Sequence, residues 1–169
     1  MTKWFSCVVT VKGYGSGEVD FSTRMGTLLQ GEQDYLAHLA ERIATVEADP
    51  ASFVAITTLG YSDRVDDAGL TPEQRRTKED DAAYARAVSA SSWLRDQLTS
   101  HFVGTIFDGL PPEQWRGIAA VKVGGGASNL VNPSPSTEAM RRENRRVEFS
   151  IYTFGVPGFA QDQEIMDLG

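Results

Sequence analysis

The feature that most constrains the fold is the run FVAITTL at residues 53–59, which Gly60 closes. A nearly continuous run of apolar and β-branched residues that ends at a glycine is typical of a central strand. We expect this strand to be covered on both faces, or nearly so. The rest of the chain then has to supply the neighbouring strands and the covering helices.

Three further segments have strand patterns. Residues 4–11 alternate with the period of a strand, and residues 147–152 alternate with one apolar face. Residues 118–123 form another strand candidate, and the glycines at 124–126 end it where unusual backbone angles are needed. The sequence therefore predicts four strands.

Two segments have helical periodicity. The first has apolar residues at helical spacing between Tyr35 and Ile43. The second presents a face of small residues and leucines that suits close packing on a sheet. That face consists of Ala83, Ala87, Ala90, Leu94 and Leu98.

The connecting segments complete the prediction. Residues 19–21 are predicted to be a short extended piece, and residues 63–81 a polar, partly helical excursion. The order strand, helix, strand, helix, strand, strand predicts an α/β two-layer sandwich, a mixed β-sheet with helices on one face. We divide the chain into an N-terminal extra strand and Gly-rich turn (1–18), a main domain (19–154) and an acidic, loosely held tail (155–169).

Size and charge restrict the partners. A chain of 169 residues suits one domain, and a net charge of -7 argues against nucleic acid or an anionic membrane as the main partner. No uncharged apolar run is long enough to span a bilayer, so we expect no membrane insertion. Residues 4–11 lack a convincing cleavage site after them, which favours a strand over a secretion signal.

No catalytic apparatus is visible in the sequence. His38 and His101 are too isolated for a metal cluster, and no Ser or Cys has a base at motif spacing. The glycine runs lack the residues of a nucleotide fingerprint, and the single Cys7 has no partner for an internal disulfide. We therefore expect a protein that is not an enzyme, with no metal ion and no cofactor.

Three motifs, in this order, resemble the OmpA-like domain family. They are FVAITTLGYSD at 53–63, ARAVSASSWLRDQL at 85–98 and RRENRRVEFSI at 141–151. The resemblance implies a βαβαββ fold that binds peptidoglycan without covalent chemistry by holding the diaminopimelate of the wall peptide. It also implies a place in the cell envelope or periplasm, as in outer-membrane proteins, peptidoglycan-associated lipoproteins and flagellar stator proteins.

The family's main ligand contacts fall on Asp63 and Arg86, with Ser62, Asn144 and Arg141 in support. The chemistry fits, because the far end of diaminopimelate carries an ammonium for a carboxylate and a carboxylate for a guanidinium. We expect Asp63 to face solvent at the end of its strand. We expect Arg86 to lie near the N-terminal turns of its helix, where the helix dipole favours an anion.

Plainer interpretations of the same residues stay open. Asp63 then caps a turn and Arg86 makes a surface ion pair. Asn144 then stabilises its loop, and the neighbouring arginines pair with Glu138, Glu143 and Glu148. The segment between Asp63 and Arg86 is longer than is usual in the family, and it is predicted either to cover the pocket or to block it.

The alternative function is a structural or docking subunit. Without a clear signal sequence, a wall-binding domain has to be carried to the wall, and a phage-tail-like or contractile injection particle provides such a route. Other subunits of that assembly would then be its partners. Residues 4–11 and the acidic tail would be the docking segments, the first by adding to a neighbour's sheet.

Overall fold

The structure is a computed structural model that describes residues 4–47, 51–115, 117–155, 158–159 and 163–169, with the backbone alone at 47, 158 and 159. The helices are α1 (Phe21–Met25), α2 (Gln30–Glu47), α3 (Pro72–His101) and α4 (Glu138–Asn144), with a short 3-10 turn at Pro112–Gln114. The strands are β1 (Ser6–Lys12), β2 (Ser52–Tyr61), β3 (Ile118–Gly124), β4 (Arg146–Gly155), β5 (Gly158–Phe159) and β6 (Gln163–Leu168).

The strands form one mixed sheet in the order β3-β2-β4-β1-β6, and β5 pairs with the end of β4. The central strand β4 runs antiparallel to both of its neighbours, β2 and β1. The outer pairs, β2 with β3 and β1 with β6, are parallel. The predicted α/β sandwich with a mixed sheet is confirmed.

One face of the sheet builds the core. Every second residue of the inner strands points to the helices, including Val9 of β1, Ile56 of β2 and Phe149 of β4, and all three are buried. On the opposite face Phe53 keeps 44% of its surface exposed and stacks on Phe154. The prediction that β2 is covered on both faces is therefore wrong, because the helices cover only one face.

Helix α3 lies unusually close to β2. A Cβ atom on Gly60 would stand 1.9 Å from the carbonyl oxygen of Ala83, so only glycine fits at this crossing. The predicted face of small residues and leucines on α3 is buried throughout. This close packing brings the middle of α3 against the end of β2, where the candidate site residues lie.

Two local predictions are wrong and a third is confirmed. Phe21 begins helix α1 instead of ending an extended piece, because Asp20 caps the helix by accepting a hydrogen bond from the backbone of Thr23. The tail is not loosely held over residues 163–168, which form β6 parallel to β1 and bury Leu168. The excursion after Asp63 is partly helical, as predicted, because α3 begins at Pro72 with a capping box between Thr71 and Gln74.

Strand β1 is an inner strand of the sheet, paired with β4 on one side and β6 on the other. The prediction that residues 4–11 dock by adding to a neighbour's sheet is therefore wrong, because this strand has no free edge. Its residues Cys7, Val9 and Val11 are fully buried. Burial raises the pKa of the Cys7 thiol to about 12, which keeps it protonated at neutral pH. Among the described helices, none combines the length and the apolar character that crossing a bilayer requires.

Candidate functional site

A cavity of about 420 Å³ opens at the end of β2, between α3 and α4. Ser62, Asp63, Arg86 and Arg141 line it, so four of the five predicted site residues meet at one place. The fifth, Asn144, is fully buried behind Asp63 and donates a hydrogen bond to it. Residues far apart in sequence thus converge because β2, α3 and α4 end or cross here.

Asp63 is held on both of its carboxylate oxygens. Its Oδ1 accepts a hydrogen bond from Asn144 Nδ2 at 2.8 Å, and its Oδ2 accepts one from Arg141 Nη1 at 2.8 Å. Arg145 Nη2 lies 3.9 Å from the same Oδ2. The residue is only 5% exposed, so the prediction of a solvent-facing carboxylate is wrong. These contacts fix the carboxylate in one orientation at the cavity wall.

Arg86 is a buried cation anchored by backbone carbonyls. Its Nε donates to the Glu18 carbonyl and its Nη1 to the Tyr61 carbonyl, each at 2.9 Å. The guanidinium also lies 5.3 Å from the centre of the Tyr14 ring. Within the described part of the chain, Nη2 has no hydrogen-bond partner. This nitrogen is therefore free to meet an anion in the cavity.

The burial of Arg86 has two consequences. It lowers the pKa of the guanidinium to about 10, which still leaves the group cationic at neutral pH. The predicted help from a helix N-terminus is wrong, because α3 begins at Pro72 and Arg86 lies near its middle. The anion-binding capacity of this position therefore comes from the guanidinium alone.

The hydroxyl of Ser62 is an unmet polar group in the cavity wall. The residue is 4% exposed, and its Oγ is buried with no hydrogen-bond partner among the residues that the structure describes. Its backbone N–H donates to the Gly126 carbonyl at 2.8 Å, which fixes the position of the side chain. A buried hydroxyl without a partner costs about 1–3 kcal/mol, so a polar ligand atom at this point would be stabilised.

Asn144 and Arg141 lie on helix α4, in a segment for which the sequence predicted no helix. Besides Asp63, Asn144 bonds both backbone groups of Asn132, at 2.8 and 2.9 Å. Asn144 therefore stabilises its loop and also orients Asp63. A structural role and a role in support of the site do not exclude each other. Arg141 bridges Asp63 and Asp66, whose carboxylates raise its pKa.

The other arginines of this stretch are mostly paired with acids. Arg145 Nη1 lies 2.6 Å from Glu138, and Arg146 Nε lies 2.9 Å from Glu148. Glu143, the third predicted partner, instead accepts a hydrogen bond from Asn132. Arg145 also lines the cavity and was not predicted as a site residue. Its position next to Asn144 in the motif NRRVE is the sequence feature from which its place in the cavity could have been predicted.

The long segment between Asp63 and Arg86 forms one wall of the cavity. Asp66, Lys78 and Glu79 line it, and Glu79 accepts a hydrogen bond from the backbone of Val65 at 2.8 Å. Of the two predictions for this segment, blocking is wrong, because the cavity stays open beside it.

The ionic lining of the cavity is nearly balanced. The anionic side chains are Asp63, Asp66, Asp67 and Glu79, and the cationic ones are Arg64, Lys78, Arg86, Arg141 and Arg145. A balanced lining suits a ligand that carries both charges better than a polyanion. Among the described residues, no group of His, Cys, Asp and Glu side chains could hold a metal ion.

Comparison with solved structures finds several cell-envelope domains. The chain matches the cell wall anchor of the T6SS from Pseudomonas aeruginosa with a TM-score of 0.47 and 20% identity over 91% of this chain and 81% of that one. It matches the periplasmic domain of Helicobacter pylori MotB, residues 97–256, with a TM-score of 0.45 and 18% identity over 85% of this chain and 80% of that one. The chain spans 62% of a longer piece of that domain.

A third match is the OmpA-like domain of FopA1 from Francisella tularensis, with a TM-score of 0.46 and 15% identity over 88% of this chain and 73% of that one. OmpA-like domains are also the family that the three sequence motifs resemble. No family model and no curated protein matches the chain. At these identities and TM-scores the matches carry no information about a ligand.

Proposed function

We propose that the protein attaches non-covalently to peptidoglycan by holding the free end of diaminopimelate in the cavity at the end of β2. That end of the molecule is an amino acid with one ammonium and one carboxylate. We assign the ammonium to Asp63 and the carboxylate to Arg86. The observation that carries this proposal is that two donors in one cavity, Ser62 Oγ and Arg86 Nη2, have no hydrogen-bond partner among the described residues.

The assignment of the ammonium follows from the lone pairs of Asp63. Each carboxylate oxygen accepts one strong hydrogen bond from the protein and keeps capacity for another. Asn144 and Arg141 would then act by holding the carboxylate in place before the ligand arrives. A receptor that is already in its bound geometry loses less entropy when it binds.

The assignment of the carboxylate follows from the fixed position of Arg86. Two backbone carbonyls hold its other nitrogens, so the direction of Nη2 is set without the ligand. A charge-assisted hydrogen bond from a guanidinium to a carboxylate is among the stronger polar contacts. Ser62 Oγ would donate to the same carboxylate and so gain the partner that it lacks.

Attachment of this kind is weak at each site. A polar, water-exposed ligand end seldom gives better than roughly micromolar to millimolar affinity, so useful anchoring needs many copies or many wall peptides. The cell envelope or periplasm is the compartment that this function requires. We propose no catalytic role, in keeping with the anchoring function.

A second candidate function is a docking subunit of a larger particle, such as a tail-like or contractile injection assembly. It is favoured by the face of the sheet that the helices leave uncovered. That face exposes Phe53, Val121, Val123, Tyr152, Phe154 and Ile165 to different degrees. The two functions are compatible, because this face lies on the opposite side of the sheet from the helices.

The test is sedimentation of the purified protein with insoluble peptidoglycan. Diaminopimelate-type walls are compared with lysine-type walls, in which the far carboxylate is missing. Ser62→Ala is the decisive variant, because it removes an unmet hydroxyl and should leave the free energy of unfolding unchanged or slightly higher. The expected result is that wild type pellets with the first wall only, and that Ser62→Ala pellets several-fold less.

The matched control is Arg76→Ala, which removes an exposed arginine of the same helix α3 outside the cavity lining. It should pellet like wild type. Equal pelleting of wild type with both wall types would refute recognition of the diaminopimelate carboxylate. No pelleting with either would leave the docking subunit as the better account.

A further inference from the structure

Strand β3 lies at one end of the sheet and has a free edge. The Gly117 carbonyl accepts a hydrogen bond from Val54 N at 2.7 Å, and Gly125 N donates to the Gly60 carbonyl at 2.8 Å. In a parallel ladder, the residues that bond to one neighbour alternate with residues that point away from it. The backbone N–H and C=O groups of Ile118, Ala120 and Lys122 therefore point outward, and no described strand pairs with them.

The two edges of the sheet are protected differently. At the β6 edge, Asp167 pairs with Lys12 and Glu164 with Arg42, so charges line the strand. The β3 edge has neither proline nor a paired charge, and Val121 and Val123 are 56% and 40% exposed. Lys122 is the one charge on this strand, and the strand otherwise leaves its outward backbone groups accessible to another strand.

A groove runs beside this edge on the helix side of the sheet. It encloses about 410 Å³ between α3 and β3. Apolar side chains in its lining are Ile56, Leu94, Leu98, Trp115 and Ile118, next to the hydroxyls of Ser91 and Ser92, and the small side chain of Ala120 lines it as well. The groove therefore has room for an apolar side chain of a strand added beside β3.

The charges on the rim of the groove favour an acidic partner. Arg95 and Lys122 line the groove, against the single carboxylate of Glu113. Arg95 contacts its neighbour Asp96 at 3.2 Å in an exposed pair, which is easily exchanged. In the part of the chain that the structure describes, Lys122 has no ion-pair partner.

We infer that the free edge of β3 and this groove form a docking site for an extended segment of a partner protein. The segment adds a strand beside β3 through the outward groups of Ile118, Ala120 and Lys122. One apolar side chain of the segment enters the groove, and acidic residues near it meet Lys122 and Arg95. Backbone pairing supplies affinity, and the groove and the cations supply selectivity.

The test uses a displayed library of random linear peptides, selected on the purified wild-type protein. The expected result is enrichment of peptides that carry an apolar residue next to Asp or Glu. Ala120→Pro should weaken a selected peptide at least about tenfold, because it removes an outward N–H without touching the bonds to β2.

A matched pair of variants separates the groove from the open face. Ala120→Leu fills the groove and should abolish binding of the selected peptide. Ala119→Leu makes the same chemical change at the next residue, which is exposed on the opposite face, and should keep binding. Both positions are exposed, so neither change threatens the core.

Three outcomes would overturn the inference. The first is a selection that enriches no peptide, and the second is a peptide that binds both leucine variants equally. The third is self-association of the protein that Ala120→Pro abolishes, since a second copy of this chain would then be the occupant. None of these outcomes bears on wall binding, because the cavity at the end of β2 does not include β3.

Discussion

Helix α3 separates two cavities of nearly equal size that are lined by different side chains. Its N-terminal half borders the 420 Å³ cavity at the end of β2, which is lined by charges that hold one another in place. Its C-terminal half borders the 410 Å³ groove beside β3, which has apolar side chains and two serines in its lining and cations on the rim. Volume therefore says little about the ligand, whereas the lining predicts a small zwitterion in one and a peptide in the other.

The largest predicted difference concerns the arginine that helix α3 contributes to each cavity, Arg86 to the first and Arg95 to the second. Arg86→Met should lower the free energy of unfolding by about 3 kcal/mol, because the Glu18 and Tyr61 carbonyls lose their buried donor. Arg95→Met should change it by no more than about 0.5 kcal/mol, since Arg95 has a single exposed ion pair. Urea denaturation of both variants measures the difference, and equal values would mean that Arg86 is not held as described.

A smaller effect is expected within the charged cavity itself. Asp63→Ala should cost about 2 kcal/mol, because Asn144 loses its buried acceptor and Arg141 loses the partner at 2.8 Å. Asp66→Ala removes the other partner of Arg141 at a largely exposed position and should cost about 0.5 kcal/mol or less. If both variants unfold at the same urea concentration, the network is not centred on Asp63.

The smallest expected effect is the pH dependence of the Arg145–Glu138 pair. The hydrogen bond from Arg145 holds the pKa of Glu138 below its ordinary value of 4.5. A lowered carboxyl pKa stabilises the folded state above pH 4.5, and this contribution is lost as the pH falls through the folded pKa. Thermal melts should show wild type more stable than Glu138→Gln at pH 6, with a smaller advantage at pH 3. A difference that is the same at both pH values would exclude this pair as its source.

The sequence predicted the parts of the fold that periodicity controls. The alternation of Val147, Phe149 and Ile151 identified the buried face of β4, and the spacing of Ala83, Ala87 and Ala90 identified the buried face of α3. Both patterns are local, so they can be recognised in a single sequence. The sequence did not predict that one face of β2 is half-exposed, because the residues on that face are as apolar as the residues on the buried face.

The sequence predicted which residues come together at the end of β2, but it did not predict that Asp63 and Arg86 are buried there. The motif resemblance predicted Ser62, Asp63, Arg86, Arg141 and Asn144, and the chain brings them together. The burial of Asp63 and Arg86 depends on α3 crossing Gly60 at close range, which no local pattern reveals. Helix α4 had a signal that was missed, because Thr137 caps it by accepting a hydrogen bond from the backbone of Met140.

The C-terminal segment shows that amino-acid composition alone does not predict whether a segment is ordered. Residues 163–168 contain two acids and a glutamine, yet they pair along β1 and bury Leu168. Strand pairing with a distant partner overrides a polar composition, since the partner supplies the hydrogen bonds and the core. The free edge of β3 likewise depends on which strands pair in the fold, so it can be identified only from the structure.

The most direct test of the central claim is an NMR titration of the ¹⁵N-labelled protein with free meso-diaminopimelate. We predict concentration-dependent shifts of the backbone signals of Ser62 and Asp63 and of the Arg86 side-chain Nε signal, with Ala120 and Lys122 unchanged. Lysine with its α-amino and α-carboxyl groups blocked, which presents only the ε-ammonium and no carboxylate, should shift the Arg86 signal much less. Shifts centred on β3, or no shifts at millimolar ligand, would contradict the assignment of the cavity as the wall-binding site.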